Sequence, residues 1–254
     1  MDKIFPKSDL YCEYFGMSQP AHGANNKEKD LFGYKVVFGE TDSESREGRY
    51  ATIECGRLWE TRDLSSLSSA LAETIRDISE NAVSFVPERI LVAAFGNDRV
   101  TADSIGARSA DMVIPSGRGE IKGAPRVFVI KTGVPATVGM DSAEIISVFA
   151  GYLRAQLILC IDALAASNPS RLGTVLQVTD AGIAPGSGLS MRAAAVSTAS
   201  MGIPVVAIGI PTVIRDSSTG VIYTCAEADL LADRAAAVIA GGINGYLYGK
   251  RNAP

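Results

Sequence analysis

From Arg89 onward the chain alternates short, nearly continuous apolar runs with stretches of helical period. Arg89–Phe95 (RILVAAF), Val127–Ile130, Leu157–Ile161, Val175–Val178 and Val205–Ile208 have the length and β-branched character of buried strands. Tyr50–Cys55 (YATIEC) predicts another. Between them, Leu67, Leu71, Ile75, Ile78 and Ala82 recur on one helical face, and a further helix is expected from about Asp103. Asp141 and Glu144 stand at capping-box spacing, ahead of a helix expected to turn Ile145, Ile146, Phe149 and Leu153 inward. Thr224 and Glu227 predict a second capping box. The helix it opens would bury Leu231, Ala235, Val238 and Ile239 and reach Gly241.

Apolar strands between helices imply an α/β fold: a mixed, mostly parallel sheet with helices on both faces. The length of 254 residues fits a single domain spanning 1–254. Residues 1–50, rich in Lys, Asp, Glu and Gly, read as a loop-rich portion with a few short strands. No internal repeat is visible.

Composition narrows the function class. Hydrophobic residues make up 47% and charged residues 20%, as in a globular protein with a substantial core. A net charge of -4 and a pI near 5.2 argue against a nucleic-acid partner. No apolar run is long enough for a membrane span, and the N-terminus lacks an apolar signal core, so a cytoplasmic location is expected. Cys12, Cys55, Cys160 and Cys225 are far apart and form no CxxC, which reads as reduced, mostly buried thiols.

The candidate chemistry is carboxylate chemistry. Gly151–Val213 holds five charged residues, Arg154, Asp162, Arg171, Asp180 and Arg192, and two of its acids end apolar runs. Asp162 follows LILCI and Asp180 follows TVLQVT. Asp103 follows the run that ends at Gly96-Asn97. In open α/β sheets ligands gather past the carboxyl ends of strands, so one edge would collect all three acids. Two close carboxylates cannot both ionise easily; one then serves as base toward water and the other as acid. Position alone equally allows an N-cap at Asp103, a turn residue at Asp162, and a loop tie at Asp180. The loop Val178–Gly188 (VTDAGIAPGSG) brings glycines that let a backbone approach a ligand or an oxyanion, while matching no nucleotide-binding motif. Thr132–Met140 (TGVPATVGM) reads as a loop beside a possible groove. His22, the one histidine, lies in a polar loop with neither GxSxG nor HExxH in the chain, so no serine, cysteine or zinc centre is expected.

Taken in order, several segments resemble the germination proteases, endopeptidases that degrade small acid-soluble spore proteins. They are SDLYCEY, GRYATIE, FGNDRVTADSIG, GMDSAEII, IDALAA, QVTDAGIAPGSG, GIPVVAIGIPTVI and GGIN. The resemblance implies a fold similar to hydrogenase-maturation proteases, and peptide hydrolysis by an aspartate pair that falls on Asp103 and Asp162. Asn97, Glu144, Asp180, Gly186, Ser187 and Gly188, all within these segments, are expected in substrate-binding or supporting roles. No metal ligand and no cofactor are assigned. The resemblance further implies small acid-soluble spore proteins as partners, a homotetramer, and activation by removal of a propeptide. With seven residues ahead of SDLYCEY, no long propeptide is expected here. Ala102 stands where the family has Pro before the first aspartate, and Gly139–Glu144 (GMDSAE) replaces the family's GIETSE. Two rival readings are a nickel-dependent protease of the hydrogenase-maturation type and a non-catalytic binding protein on the same scaffold.

Overall fold

A computed structural model describes residues 8–14, 26–41, 47–117, 123–185, 194–216 and 218–249. In chain order the elements are α1 (Tyr11–Tyr14), β1 (Lys27–Leu31), β2 (Tyr34–Thr41), β3 (Gly48–Glu54), α2 (Leu64–Ala82), β4 (Arg89–Phe95) and α3 (Ile105–Met112). They continue with β5 (Arg126–Gly133), α4 (Pro135–Val138), α5 (Ser142–Leu153), β6 (Leu157–Ala166), β7 (Val175–Thr179), α6 (Thr198–Met201), β8 (Val205–Arg215), β9 (Ile222–Tyr223) and α7 (Ala228–Tyr248). Single 3-10 turns cover Thr101–Asp103 and Pro169–Arg171.

The strands form one mixed sheet in the order β1-β2-β3-β7-β8-β6-β4-β5, with β9 appended to β8. The stretch β5-β4-β6-β8 is parallel. The pairings β1·β2, β2·β3, β3·β7, β7·β8 and β8·β9 are antiparallel, and they outnumber the parallel ones. The extra antiparallel share comes from the N-terminal portion, where β1 and β2 form a hairpin that meanders into β3.

Helices cover both faces. On one, α2, α3 and α7 bury Ile90 and Val92 of β4, Leu159 and Ile161 of β6, and Val206 and Ile208 of β8. On the other, Ala143, Ile146 and Ala150 of α5 meet Leu91, Ala93 and Phe95 of β4 and Ile158 and Cys160 of β6. Alternating side chains therefore find apolar partners on both sides, which is why these strands read as unbroken apolar runs. Among the described residues no helix is long and apolar enough to cross a membrane.

Several elements differ from expectation. The α5 core stripe is Ala143, Ile146, Ala150 and partly buried Leu153, while Phe149 is 42% exposed. The small residues let α5 lie close to the sheet and rotate Phe149 outward. No capping box opens α7; the Thr224 hydroxyl donates to the Thr212 carbonyl at 2.6 Å, and Glu227 caps without a side-chain bond. The helix continues past Gly241, because a Cβ there would lie 2.7 Å from Ser68 Oγ and one at Gly242 2.7 Å from Leu71. The glycine pair is a close-approach surface between α2 and α7, and not a helix end. Thr132–Met140 contains the end of β5 and the one-turn α4, and is not loop throughout. β6 runs on to Ala166, so Asp162 lies inside a strand rather than at its end.

Candidate active site

From β4 the chain passes to β5 on one side and returns to β6 on the other. Connections that leave a strand in opposite directions open a crevice at its carboxyl end. The β4–β6 pairing stops at Ala94↔Ile161, and Asp162 is the next residue along β6.

Asp103 is brought there by the loop after β4. Gly96 (φ 98°) allows the chain to turn so tightly that a Cβ on it would stand 2.0 Å from the Asp103 carbonyl. Gly106, in the first turn of α3, lies against the Phe95 and Ile161 carbonyls, 2.2 and 3.0 Å from where its Cβ would be. The 3-10 turn is pinned from both flanks. Thr212 Oγ1 donates to the Ala102 carbonyl at 2.6 Å, and Thr101 Oγ1 donates to Asp229 Oδ1 of α7 at 3.1 Å. Asp103 Oδ2 accepts the Asn97 backbone N–H at 2.7 Å.

Asp162 follows Ile158 and Cys160 onto the α5 face by strand alternation and is 6% exposed. Its Oδ1 accepts the N–H of Ala163 at 2.9 Å. Burial holds its carboxyl well above the ordinary carboxylate range, the charges of Asp103 and Asp9 push the same way, and the Ala163 bond opposes them. Asp103 is raised too, by burial, against the Asn97 N–H that favours its ionised form. Each acid accepts one backbone N–H, but they are unequal in burial: Asp162 is the more deeply buried and has the stronger hold on a proton. The neighbouring Cys160 thiol is pushed upward by burial and then by Asp162, which keeps it an un-ionised core thiol.

On the same face a cleft of about 230 Å³ opens beyond β6, lined among others by Asp9, Tyr50, Leu164, Gln177, Thr179 and Gly209. Gly209 is the register partner of Asp162 on β8, so the cleft adjoins the strand position of Asp162, although neither Asp162 nor Asp103 is among the residues that line it. Asp9 contributes to one wall, and Tyr11, two residues on, stacks on the lining residue Tyr50 at 4.6 Å between ring centroids. The other is the stretch 181–184, tied back by the Ile183↔Val196 bridge.

The remaining candidates fall in different places. The Asn97 N–H holds Asp103, and its side-chain oxygen accepts from Arg99 N at 3.0 Å. Glu144 is exposed and closes the capping box of α5, its Oε2 accepting the Asp141 N–H at 3.3 Å. Asp180 grips β3: Oδ1 accepts the Arg49 N–H at 2.6 Å, and Oδ2 accepts Arg49 Nη2 at 2.7 Å and Nε at 3.1 Å. Gly186, Ser187, Gly188 and His22 lie outside the described residues. Asp9 was not singled out in the sequence, although the SDLYCEY segment carries it, because its partners on β6 are more than 150 residues away. Among the described residues no three His, Cys, Asp or Glu side chains converge as a metal-holding group. Cys12, Cys55 and Cys160 are buried free thiols and Cys225 is partly exposed.

Comparison with known proteins places these features in a family. A family profile described as germination protease matches residues 25–221. The chain is 35% identical over 208 residues to a germination protease of Caldanaerobacter subterraneus subsp. tengcongensis, covering 76% of this chain and 63% of that one. It is 31% identical over 192 residues to one of Clostridium acetobutylicum, covering 71% and 58%. A third, of Priestia megaterium, is 31% identical over 203 residues, covering 74% and 55%. The chain thus spans 55–63% of the length of these curated relatives. Among solved structures, the [NiFe] hydrogenase maturation protease HycI of Thermococcus kodakarensis aligns with a TM-score of 0.40 at 20% identity, over 64% of this chain and 96% of that one. On the matches in sequence, this chain belongs to the germination protease family.

Proposed function

We propose that the chain is an endopeptidase that hydrolyses peptide bonds of small acid-soluble spore proteins, using Asp103 and Asp162 as its acid–base pair. The observation that carries this reading is the place of the two acids at the β4–β6 crevice: Asp162 is buried as the first residue of β6 past the β4 pairing, and Asp103 ends the turn that Gly96 and Gly106 seat against the same strand ends. Family membership supports the substrate class. Extended small proteins suit a cleft that must admit a main chain.

The inequality of the two acids divides their roles. Asp103, the less buried of the two, is the base. It takes a proton from water as the water oxygen bonds to the scissile carbonyl carbon. Asp162, protonated, gives its proton to the amide nitrogen as the C–N bond breaks. Proton return from Asp103 to Asp162 restores the starting state. The described part of the loop Gly182–Gly188, residues 182–184, lines the cleft, and in this reading the loop supplies backbone N–H groups to the developing oxyanion. Asn97 and Asp180 support this arrangement, and Glu144 does so through the α5 terminus. The protein acts as a homotetramer in the cytoplasm, within the spore core where the organism sporulates.

The test is incubation of a purified small acid-soluble spore protein with wild type and Asp162→Asn, read by mass spectrometry. Discrete fragments from wild type alone are expected. A folded wild type that leaves the substrate intact, or an Asn variant that cuts as well as wild type, would sink the reading.

A further inference from the structure

Helix α5 carries two apolar stripes. Ala143, Ile146, Ala150 and Leu153 turn inward onto β4 and β6. Ile145, Val148, Phe149 and Tyr152 form the second, at the spacing i, i+3, i+4, i+7 of a helix face built to be packed. This stripe points away from the sheet: Val148 is 64% and Tyr152 84% exposed, beside the outward Phe149. Val138 and Met140, exposed just ahead of the helix, continue it. A surface helix ordinarily turns polar residues to water, and apolar residues on two sides call for cover on both. Exposed apolar residues gathered in this way mark a contact site, whereas scattered ones do not. On the helical wheel Glu144, Ser147 and Arg154 fall in the one sector left over, so charge borders the outer stripe on a single flank. Glu144 stands at the N-terminal end of that flank and Arg154 at the C-cap, both exposed.

We infer that the outer face of α5 is where a second copy of this chain docks, α5 against α5, antiparallel about a two-fold axis. This rests on the homo-oligomer reading above and names one of its contact surfaces; the acid pair has no part in it. The charges select both the occupant and the direction. A two-fold axis across the helices brings the same flank of the two copies together with their directions opposed. Glu144 then faces the partner's Arg154, and Arg154 the partner's Glu144, so two ion pairs border one apolar seam. An axis along the helices would instead set the charged flank against the uncharged one and leave these charges unmatched. The spacing agrees with the antiparallel choice. Glu144 and Arg154 are centred on Phe149, and the stripe Ile145–Tyr152 is centred between Val148 and Phe149, so one axis position serves both. Whole aromatic side chains offer roughly 150–250 Å² each. Phe149 and Tyr152 of each copy thus form the apolar centre, and Val138 and Met140 extend it toward the about 800 Å² per partner of a standard interface.

The test is sedimentation velocity with light scattering on the full chain, with circular dichroism to verify folding. Wild type is compared with Tyr152→Glu, Arg154→Glu and the double variant Arg154→Glu/Glu144→Lys. Wild type is expected as a multiple of two chains. Tyr152→Glu should halve that mass with an unchanged circular dichroism spectrum, since a side chain 84% exposed has little packing to lose. Arg154→Glu sets like charges face to face at both ends of the seam. It should raise the dissociation constant by about 2- to 30-fold, the worth of two exposed ion pairs. The double variant should bring the constant back toward the wild-type value. A wild type that stays a single chain at every concentration would overturn this contact and the homo-oligomer reading together. An oligomeric wild type whose mass Tyr152→Glu leaves unchanged would overturn the α5 contact alone, the copies then meeting on another face. Equal dissociation constants for wild type and Arg154→Glu would overturn the antiparallel pairing. None of these readouts depends on turnover, so they are separate from failure of the acid-pair reading.

Discussion

The two halves of the sheet use their polar residues differently. In the antiparallel half, β1 and β2 carry ion pairs such as Lys29–Asp77 and Lys35–Glu28, whose side chains are 34–61% exposed. There charge keeps an edge hairpin hydrated and blunts its tendency to pair with other chains. In the parallel half, Asp162 is buried among apolar residues with like charges for neighbours. A fold under pressure for stability alone has no use for such a carboxylate. Between the halves stands Asp180, an acid of the same residue type whose burial is balanced by a two-pronged bond to Arg49. The comparison separates acids that hold the fold from acids that the fold must hold.

The largest effect should come from removing the unbalanced acids. Asp103→Asn or Asp162→Asn is expected to lower kcat/KM by roughly 100- to 10,000-fold, the range for a positioned acid or base. Stability should move the other way for Asp162→Asn. Asp162's folded value lies above its unfolded one, so the stability its protonated form contributes at low pH is lost as pH rises from the ordinary carboxylate value through the folded value. The Asn variant lacks that loss, and urea titrations at neutral pH should find it more stable than wild type. A destabilised variant would erase the distinction between the halves.

Gly106→Ala should come next. Its Cβ would press on the Phe95 carbonyl, which is backbone and cannot swing aside, so α3 and Asp103 must shift. A displacement of about 1 Å is expected to cost about 100-fold in kcat/KM, with a lowered Tm by calorimetry. Retained activity would mean that Asp103 does not need its seat.

Asp180→Ala is a stability change in the first place. It leaves Arg49, with 22% side-chain exposure, without its partner, at a cost of about 2–3 kcal/mol in urea unfolding. A greater loss of activity than stability would move Asp180 among the working acids. Smallest of all, Lys29→Ala should change stability by about 0.5 kcal/mol or less, since the pair with Asp77 is exposed.

Much of this division was legible in the residues themselves. β4 was predicted with the bounds it has, and α2 buries Leu67, Leu71, Ile75 and Ile78 as its period implied. Both depend on side chains a few positions apart, so a short window contains the information. The capping box at Asp141 and Glu144 is local in the same way. Thr224 shows the limit, since its hydroxyl had a better acceptor in Thr212, on a strand that no window around Thr224 includes. Phe149 shows another, because a helix with apolar residues on several sides leaves the choice of inward face to the sheet it packs against.

By itself, then, the sequence determined the alternation of strands and helices, the apolar character of both sheet faces, the family, and the two acids as residues of interest. Tertiary structure decided what those acids experience. Asp162 lies inside β6, and past the end of β4, only because β8 and the segment Ser8–Glu13 pair with the strand's far half. Asp9 reaches Ala165, three residues further along β6, through bonds spanning 156 residues. Periodicity comes from the chain's own geometry and repeats every few residues, whereas the free edge of a strand is completed by whichever segment has matching donors, acceptors and apolar side chains, at any distance along the chain.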